Sequence, residues 1–349
     1  MKILTAMSGG VDSSVSTRLL LEEGHSVSGV TFVSDDSAES AAAARDASDT
    51  AKTLGISHTV LDISDKFRDA VKEYFVRTYE SGKTPNPCVV CNRDIKFGLL
   101  LDYAEKAGFD AVATGHYAKT VKKDGRCRLY RAADERKDQS YMLTLVPEER
   151  LARSIFPLGG YTKDEIRALA EKWDIPTAAK KDSQDICFIP DGDYVKFITG
   201  YRGYEIAGGD YLSPDGRVLG RHMGQMCYTI GQRKGLGIAL GRHMFVLEKN
   251  ADTNTVVLGD EADLFRKTLR VGKLNIIGSD SLSDVSPEGR FTVKIRYAHR
   301  GAPAAVSCDG ESCEITFDEP QRAPSPGQFA VLYTEDEFGM RAVAGGEIE

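Results

Sequence analysis

The stretch Ser8-Gly9-Gly10-Val11-Asp12-Ser13 follows the apolar run Ile3-Leu4-Thr5-Ala6-Met7. It precedes a segment, Ser13 to Glu23, in which Val15, Leu19 and Leu20 recur at helical spacing before Gly24. A strand that turns through two glycines into a helix lets backbone N–H groups approach an anion, and the helix N-terminus adds partial positive charge. This is a phosphate site by geometry. Neither the GK[ST] ending of a Walker loop nor the G-x-G-x-x-G of dinucleotide folds is present.

Outward from the loop, strand and helix alternate. Val27 to Val33 reads as a strand, Ala38 to Leu54 as an alanine-rich helix closed by Gly55, and His58 to Asp62 as a strand. Helices are expected over Lys66 to Tyr79 and Ile95 to Ala107, and a strand over Ala111 to Thr114. Such alternation implies a parallel sheet covered on both faces, with ligands beyond the carboxyl ends of its strands. After about Gly200 glycines cluster and short alternating runs replace helical periods. The expected fold class is therefore α/β: an N-terminal parallel-sheet domain (1–200), a small central β-rich domain (201–262) and a C-terminal β-barrel (263–349). Barrel strands are expected near 267–274, 291–297, 304–307, 314–317 and 329–333.

The chain has 349 residues, 41% of them apolar, ample for several buried cores. No apolar run is long enough to span a membrane and no secretory leader is visible, so the expected address is the cytoplasm. A net charge of −7 excludes uniform coating of nucleic acid. Local patches remain: residues 119–137 carry eight basic against three acidic side chains, and 202–249 seven against four. Seven scattered cysteines argue against a disulfide framework. Cys88 and Cys91 stand three apart just before an expected helix, whose N-terminus should favour thiolate. Cys187 is a third candidate, whereas Cys127, Cys227, Cys308 and Cys313 read as separate packing thiols.

Ser8 to Ser13 resembles the SGGxDS signature of the ATP pyrophosphatase (PP-loop) enzymes, which cleave ATP between its α and β phosphates. The further motifs extend that likeness. Pro85 to Phe97, Ala113-Thr114-Gly115-His116-Tyr117-Ala118, Lys137-Asp138-Gln139-Ser140-Tyr141, Ser183 to Phe188 and Tyr228 to Gly235 together resemble the tRNA-specific 2-thiouridylases, in family order over nearly the whole chain. The resemblance implies ATP with Mg2+, a tRNA of the Lys, Glu or Gln type, adenylation of the wobble-uridine 2-carbonyl, and replacement of its oxygen by sulfur. It implies nucleotide binding by Ala6, Met7, Ser8, Gly9, Gly10, Val11, Asp12, Ser13, Phe32 and Gly115, with Asp12 assisting magnesium pyrophosphate. Cys187 would carry a persulfide received from a cysteine desulfurase or a sulfur-relay protein, and Cys91 would resolve it by forming a disulfide with Cys187. The implied tRNA contacts are Asn86, Pro87, Cys88, His116, Lys137, Asp138, Gln139, Arg296, Tyr297 and Gln328, on a monomer.

One residue departs from the family pattern: Cys88 stands where many members have Asp. Three thiols raise an alternative in which Cys88, Cys91 and Cys187 hold a [4Fe–4S] cluster as sulfur carrier. Two further alternatives are a PP-loop synthetase acting on a small metabolite, which leaves Cys91 and Cys187 idle, and a nucleotide- and metal-sensing module that binds ATP without turnover.

Overall fold

The computed structural model describes every residue except 181–185, 240, 273 and 311. Ser183, Gln184 and Asp185 of the Ser183–Phe188 motif thus lie outside the described residues. The N-terminal sheet is parallel, with strands β1 (Lys2–Ala6), β2 (Ser26–Val33), β3 (His58–Asp62), β4 (Ala111–Ala113) and β7 (Ser154–Ile155) in the order β3-β2-β1-β4-β7. Its registers include Ala6 opposite Val30 and Thr5 opposite Ala113. The central position of β1 therefore puts the glycine loop between the carboxyl ends of two neighbours. Helix α1 (Val11–Glu22) leaves that loop, and α2 (Ala38–Leu54) begins where Ser37 accepts from the Ser40 amide. Gly55 ends α2 in the left-handed conformation at φ 71°, a position that favours glycine.

Two expected helices differ from those observed. The 66–79 helix runs from Ser64 to Glu80 with a π-helical turn at Arg68–Lys72. The 95–107 helix begins eight residues earlier, at Pro87, and passes through a π-helical stretch Asn92–Leu99 before Leu100–Lys106. Asn86 caps it and Pro87 supplies a preset first position, signals that outweigh the loop appearance of the Pro-rich stretch.

A hairpin, β5 (Ala118–Lys123) and β6 (Arg126–Arg131), leaves the first domain and joins the last one. β6 pairs antiparallel with β18 (Gly339–Glu347), Tyr130 opposite Arg341, within a nine-stranded sheet. The remaining strands of that sheet are β12 (Phe265–Val271), β13 (Asn275–Ile276), β14 (Arg290–Lys294), β15 (Ala302–Cys308), β16 (Cys313–Arg322) and β17 (Phe329–Asp336). Leu129, Cys127, Tyr141, Val331 and Tyr333 consequently share one buried core with Leu4, Val89 and Val112 of the parallel sheet. Between the two in sequence comes a four-stranded sheet, β8 (Gly209–Leu212), β9 (Val218–His222), β10 (Phe245–Asn250) and β11 (Thr255–Gly259), with its own core around Tyr211, Tyr228 and Val246.

Cys308 and Cys313 correct the expectation of separate thiols: they face each other across β15 and β16 and form a disulfide. The hairpin register brings the two Cα atoms to 4.1 Å, a little closer than is usual for a disulfide, and within reach of one. No helix among the described residues is long and apolar enough to cross a membrane.

Candidate functional site

The glycine loop is held open from within. Ser13 Oγ donates to the Gly10 carbonyl at 3.0 Å and accepts from the Ser8 amide at 3.2 Å, while Ser14 Oγ also donates to Gly10 at 2.9 Å. Gly9 has φ 69°, and a Cβ there would lie 2.5 Å from the Ala43 carbonyl oxygen, so both conformation and space require glycine. Ser8 is exposed at the mouth of the loop, Ala6, Gly10 and Asp12 are half-buried, and Met7, Val11 and Ser13 are buried beneath it. Phe32, half-buried at the end of β2, packs against both adjoining cores. A Cβ on Gly115 would stand 2.9 Å from the Asp12 carbonyl carbon and the Ser13 nitrogen. The absent side chain at 115 thus lets the β4–β5 connection close onto the start of α1.

Asp12 is the electrostatic centre of the loop. Its Oδ1 accepts from Tyr117 Oη at 2.8 Å, and Lys163 Nζ lies 2.8 and 2.9 Å from its two oxygens. The Lys163 side chain is only 7% exposed. Lys163 begins a helix, Lys163–Lys172, fixed by a capping box between Thr162 and Glu165. Lys180 closes the other side, donating to the Gly9 carbonyl at 3.0 Å and to Asp46 at 2.8 Å. Neither lysine was singled out from sequence. The Thr162-x-x-Glu165 pattern announces the helix, but nothing local announces a partner 151 residues away.

The three candidate thiols converge. Cys91 packs in the same apolar cluster as Ile186 and Phe188, which flank Cys187, and as Phe32. The charges of Cys187 and Cys88 both act on Cys91, and Lys96, on the π-helical stretch, acts on all three. The expected thiolate character is corrected. Cys88 and Cys91 sit inside the helix Pro87–Cys91 rather than before it, and burial pushes Cys91 up to about 12. Solvent reaches Cys88 and Cys187, yet the protein packed behind them raises both thiols as well, with Lys96 pulling the other way. In this state Cys91 and Cys187 are free thiols. Among the described residues no three His, Cys, Asp or Glu side chains are placed to hold a metal ion. That arrangement gives a [4Fe–4S] cluster on Cys88, Cys91 and Cys187 no support.

The C-terminal barrel grips the segment before the thiols. Gln328 Nε2 donates to the carbonyls of Thr84 at 3.1 Å and Pro85 at 3.0 Å, and the Thr84 amide donates to Pro326 at 2.8 Å. Asn86 is buried, its Oδ1 accepting from Val89 N; Pro87 is buried beside it, and Cys88 is exposed. The short helix Ser140–Leu143 packs on Pro87–Cys91. Its Tyr141 meets the exposed Tyr297 edge-on at 6.2 Å, with Lys294 over both rings. Arg296, next to Tyr297, donates to the Arg322 carbonyl at 3.1 Å.

Other expected contacts are internal. Asp138 is buried, accepting from the amides of Ala132 and Ser140, each at 3.1 Å, and from Ser140 Oγ at 2.9 Å. Gln139 exchanges two hydrogen bonds with the Tyr117 backbone, and Lys137, half-buried, donates its amide to Asp134. His116 is 7% exposed between Phe97 and Phe156, with Nδ1 2.7 Å from Thr114 Oγ1, and burial holds its pKa well below the usual value. Much of the 119–137 basic run is paired at home: Lys123 with Glu337, Arg126 with Glu148, Arg128 with Asp336, Arg131 with Asp138, and Arg136 with Asp134.

A parallel sheet with a strand, glycine loop and helix at its carboxyl edge, followed by two β domains, defines a nucleotide-binding α/β protein of the HUP class. Residues 1–191 match the tRNA methyl transferase HUP domain, 195–260 its PRC-barrel domain, and 266–339 the aminomethyltransferase beta-barrel domain. The chain is 45% identical over 364 residues (100% of this chain, 97% of the relative) to the tRNA-specific 2-thiouridylase MnmA of Carboxydothermus hydrogenoformans. It is 44% identical to that of Pelobacter propionicus (100% and 97% covered) and 42% identical to that of Treponema denticola (100% and 98%). The chain belongs to the tRNA-specific 2-thiouridylase MnmA family.

Proposed function

We propose that this protein is a tRNA-uridine 2-sulfurtransferase that uses ATP and Mg2+ to replace O2 of the wobble uridine with sulfur. The observation that carries the reading is the gathering of Cys91, Phe32 and the two residues that flank Cys187, Ile186 and Phe188, in one cluster, with the charge of Cys187 acting on Cys91. A uridine carbonyl is amide-like and its oxygen leaves badly. Attack of O2 on the α-phosphorus breaks the bond to the bridging oxygen, pyrophosphate departs with that electron pair, and the oxygen becomes part of an AMP ester. Ser8, Gly9, Gly10 and Ser13 would cradle the phosphates, Phe32 would lie on the adenine, and Asp12 would hold magnesium.

Cys187 carrying a sulfane sulfur then attacks C2 through its terminal sulfur, and AMP leaves. Cys91, giving up its thiol proton to the base, attacks Cys187 Sγ, the S–S bond to the delivered sulfur breaks, and that sulfur stays on C2 as a thiocarbonyl. The products are 2-thiouridine and a Cys91–Cys187 disulfide, which a thiol reductant resets. The sulfane sulfur comes from a cysteine desulfurase or a relay protein.

The exposed Cys88 and Tyr297 and the half-buried Arg296 would touch the anticodon loop around Asn86 and Pro87, with Lys137 at the edge. His116, Asp138, Gln139 and Gln328 would act by shaping that surface from within. On this reading 1–200 is the catalytic unit, 201–262 the central unit and 263–349 the tRNA-binding barrel, which annexes the hairpin 118–131. The test is nucleoside mass spectrometry after incubation with unthiolated tRNA, ATP, Mg2+ and a persulfide-loaded desulfurase. 2-Thiouridine at the wobble position supports the assignment, and its absence with tRNAs of the Lys, Glu and Gln type refutes it.

A further inference from the structure

Three thiols converge, and the sulfur transfer described above uses two of them. Cys88 is left over. It stands three residues before Cys91 on the helix Pro87–Cys91, so the two side chains share one face, one turn apart, at a spacing a disulfide can close. The backbone that carries them is fixed, because Asn86 caps the helix and Gln328 holds the two carbonyls before it. Cys187 arrives from a different segment. Its neighbours Ile186 and Phe188 pack in the cluster that holds Cys91, and the charges of Cys88, Cys91 and Cys187 act on one another. Solvent reaches Cys88 and Cys187, whereas Cys91 is half-buried.

Each turnover ends on a Cys91–Cys187 disulfide, and Cys187 takes no further sulfane sulfur until that bond opens. A soluble thiol must first collide with it, whereas Cys88 already stands one helical turn from Cys91. Attack by Cys88 on Cys91 Sγ would release Cys187, so the negative charge begins and ends on sulfurs that solvent reaches and on which Lys96 acts. Cys91 stays uncharged inside a disulfide throughout, and its burial does not oppose the step.

We infer that Cys88 is the resetting thiol of the reaction: once the thiolated tRNA has left, Cys88 attacks Cys91, moves the disulfide to Cys88–Cys91 and frees Cys187 for the next sulfane sulfur. The inference rests on the persulfide route above. In the exchange Cys88 gives its proton to solvent, the Cys91–Cys187 bond breaks as the Cys88–Cys91 bond forms, and Cys187 leaves as the thiolate. Nothing is oxidised or reduced overall. Two equivalents of a soluble thiol of the glutathione class then reduce the new bond, the first attacking the exposed Cys88 Sγ. An anticodon loop seated on Asn86 and Pro87 covers Cys88, which places the exchange after product release.

The experiment maps disulfides in the full-length protein, acid-quenched and then alkylated in denaturant without reductant. Trypsin leaves Cys88 and Cys91 in one peptide, 84–93, and Cys187 in another, 182–196, so the two bonds differ as a link within one peptide and a link between two. After a single turnover the link between peptides is expected first. As tRNA dissociates, the link within 84–93 replaces it and Cys187 becomes alkylatable again. A second arm without tRNA, oxidised in glutathione buffer, is expected to carry the Cys88–Cys91 bond. Cys88→Ser is expected to remain at Cys91–Cys187. An effective concentration of about 0.1 M for a neighbouring thiol, against about 1 mM glutathione, makes recovery of its Cys187 thiol about 100-fold slower than in wild type. Wild-type protein that keeps the Cys91–Cys187 bond with Cys88 free overturns the inference, as does recovery of Cys187 in Cys88→Ser at the wild-type rate. Thiolated tRNA formed with no Cys91–Cys187 bond at any quench time would instead overturn the persulfide route, and the arm without tRNA would still decide whether Cys88 pairs with Cys91.

Discussion

Gln328 is the sharpest place to separate positioning from contact. Its amide makes two hydrogen bonds, to the carbonyls of Thr84 and Pro85, directly before the Asn86-Pro87-Cys88 segment. Gln328→Leu keeps the side-chain volume and removes both donors. At about 1 kcal/mol net for each bond, the tether weakens by about 2 kcal/mol, which multiplies the open population of the segment by about 30. The Thr84 amide bond to Pro326 remains, so the segment loosens without detaching. Hydrogen exchange followed by mass spectrometry reads this directly: peptides covering 83–90 are expected to exchange about 30-fold faster, and those covering the loop 7–13 at the wild-type rate. The kcat/KM for tRNA is expected to fall by no more than the same factor, with the KM for ATP unmoved. Wild-type exchange over 83–90 combined with weakened tRNA binding would refute the reasoning and make Gln328 a direct RNA contact.

Three other outcomes follow from the same structure. His116 cannot take a proton in the folded state at mildly acid pH, whereas the unfolded chain binds one near 6.5; stability is therefore full above 6.5 and lost as pH falls below it. His116→Gln is expected to flatten the decline in denaturant-measured stability between pH 7 and 5, and an unchanged slope would contradict the burial argument. Oxidised protein denatured without reductant is expected to titrate five thiols rather than seven, and Cys308→Ser to lose about 2 kcal/mol of stability, the amount expected for closing so short a loop. Cys91 is expected to resist alkylation below pH 9 because burial holds its pKa at about 12; thiolate-like reactivity at pH 7 would show that the helix N-terminus or Lys96 outweighs desolvation.

The parts of the fold that were legible in the sequence are those whose signals are local. Gly9 and Gly10 mark the turn from β1 into α1, and Ser37 and Gly55 bracket α2 at both ends. The Pro85–Cys91 stretch was legible as a site but not as a helix, because its cap, Asn86, hides among prolines. β18 escaped notice because Gly345 and Gly346 break the alternation of a strand. They are there because a Cβ would press to 2.6 Å on Thr144 Oγ1 and 2.7 Å on Val271. The joining of the 118–131 hairpin to the barrel rests on pairing with a strand more than 200 residues later, which no local pattern encodes. A separation of 151 residues likewise hid Lys163 from Asp12. Desolvation hid the true state of the thiols, since it depends on what three separate segments pack around Cys91.

The central claim is that Cys187 delivers the sulfur and Cys91 releases it. The most direct measurement is a single turnover with iron-free protein, persulfide-loaded Cys187, ATP, Mg2+ and unthiolated tRNA, followed by acid quench and peptide mapping. One Cys91–Cys187 disulfide for each 2-thiouridine formed is the expected result. Formation of 2-thiouridine with both cysteines still reduced, or only after an iron–sulfur cluster has been reconstituted, would contradict it.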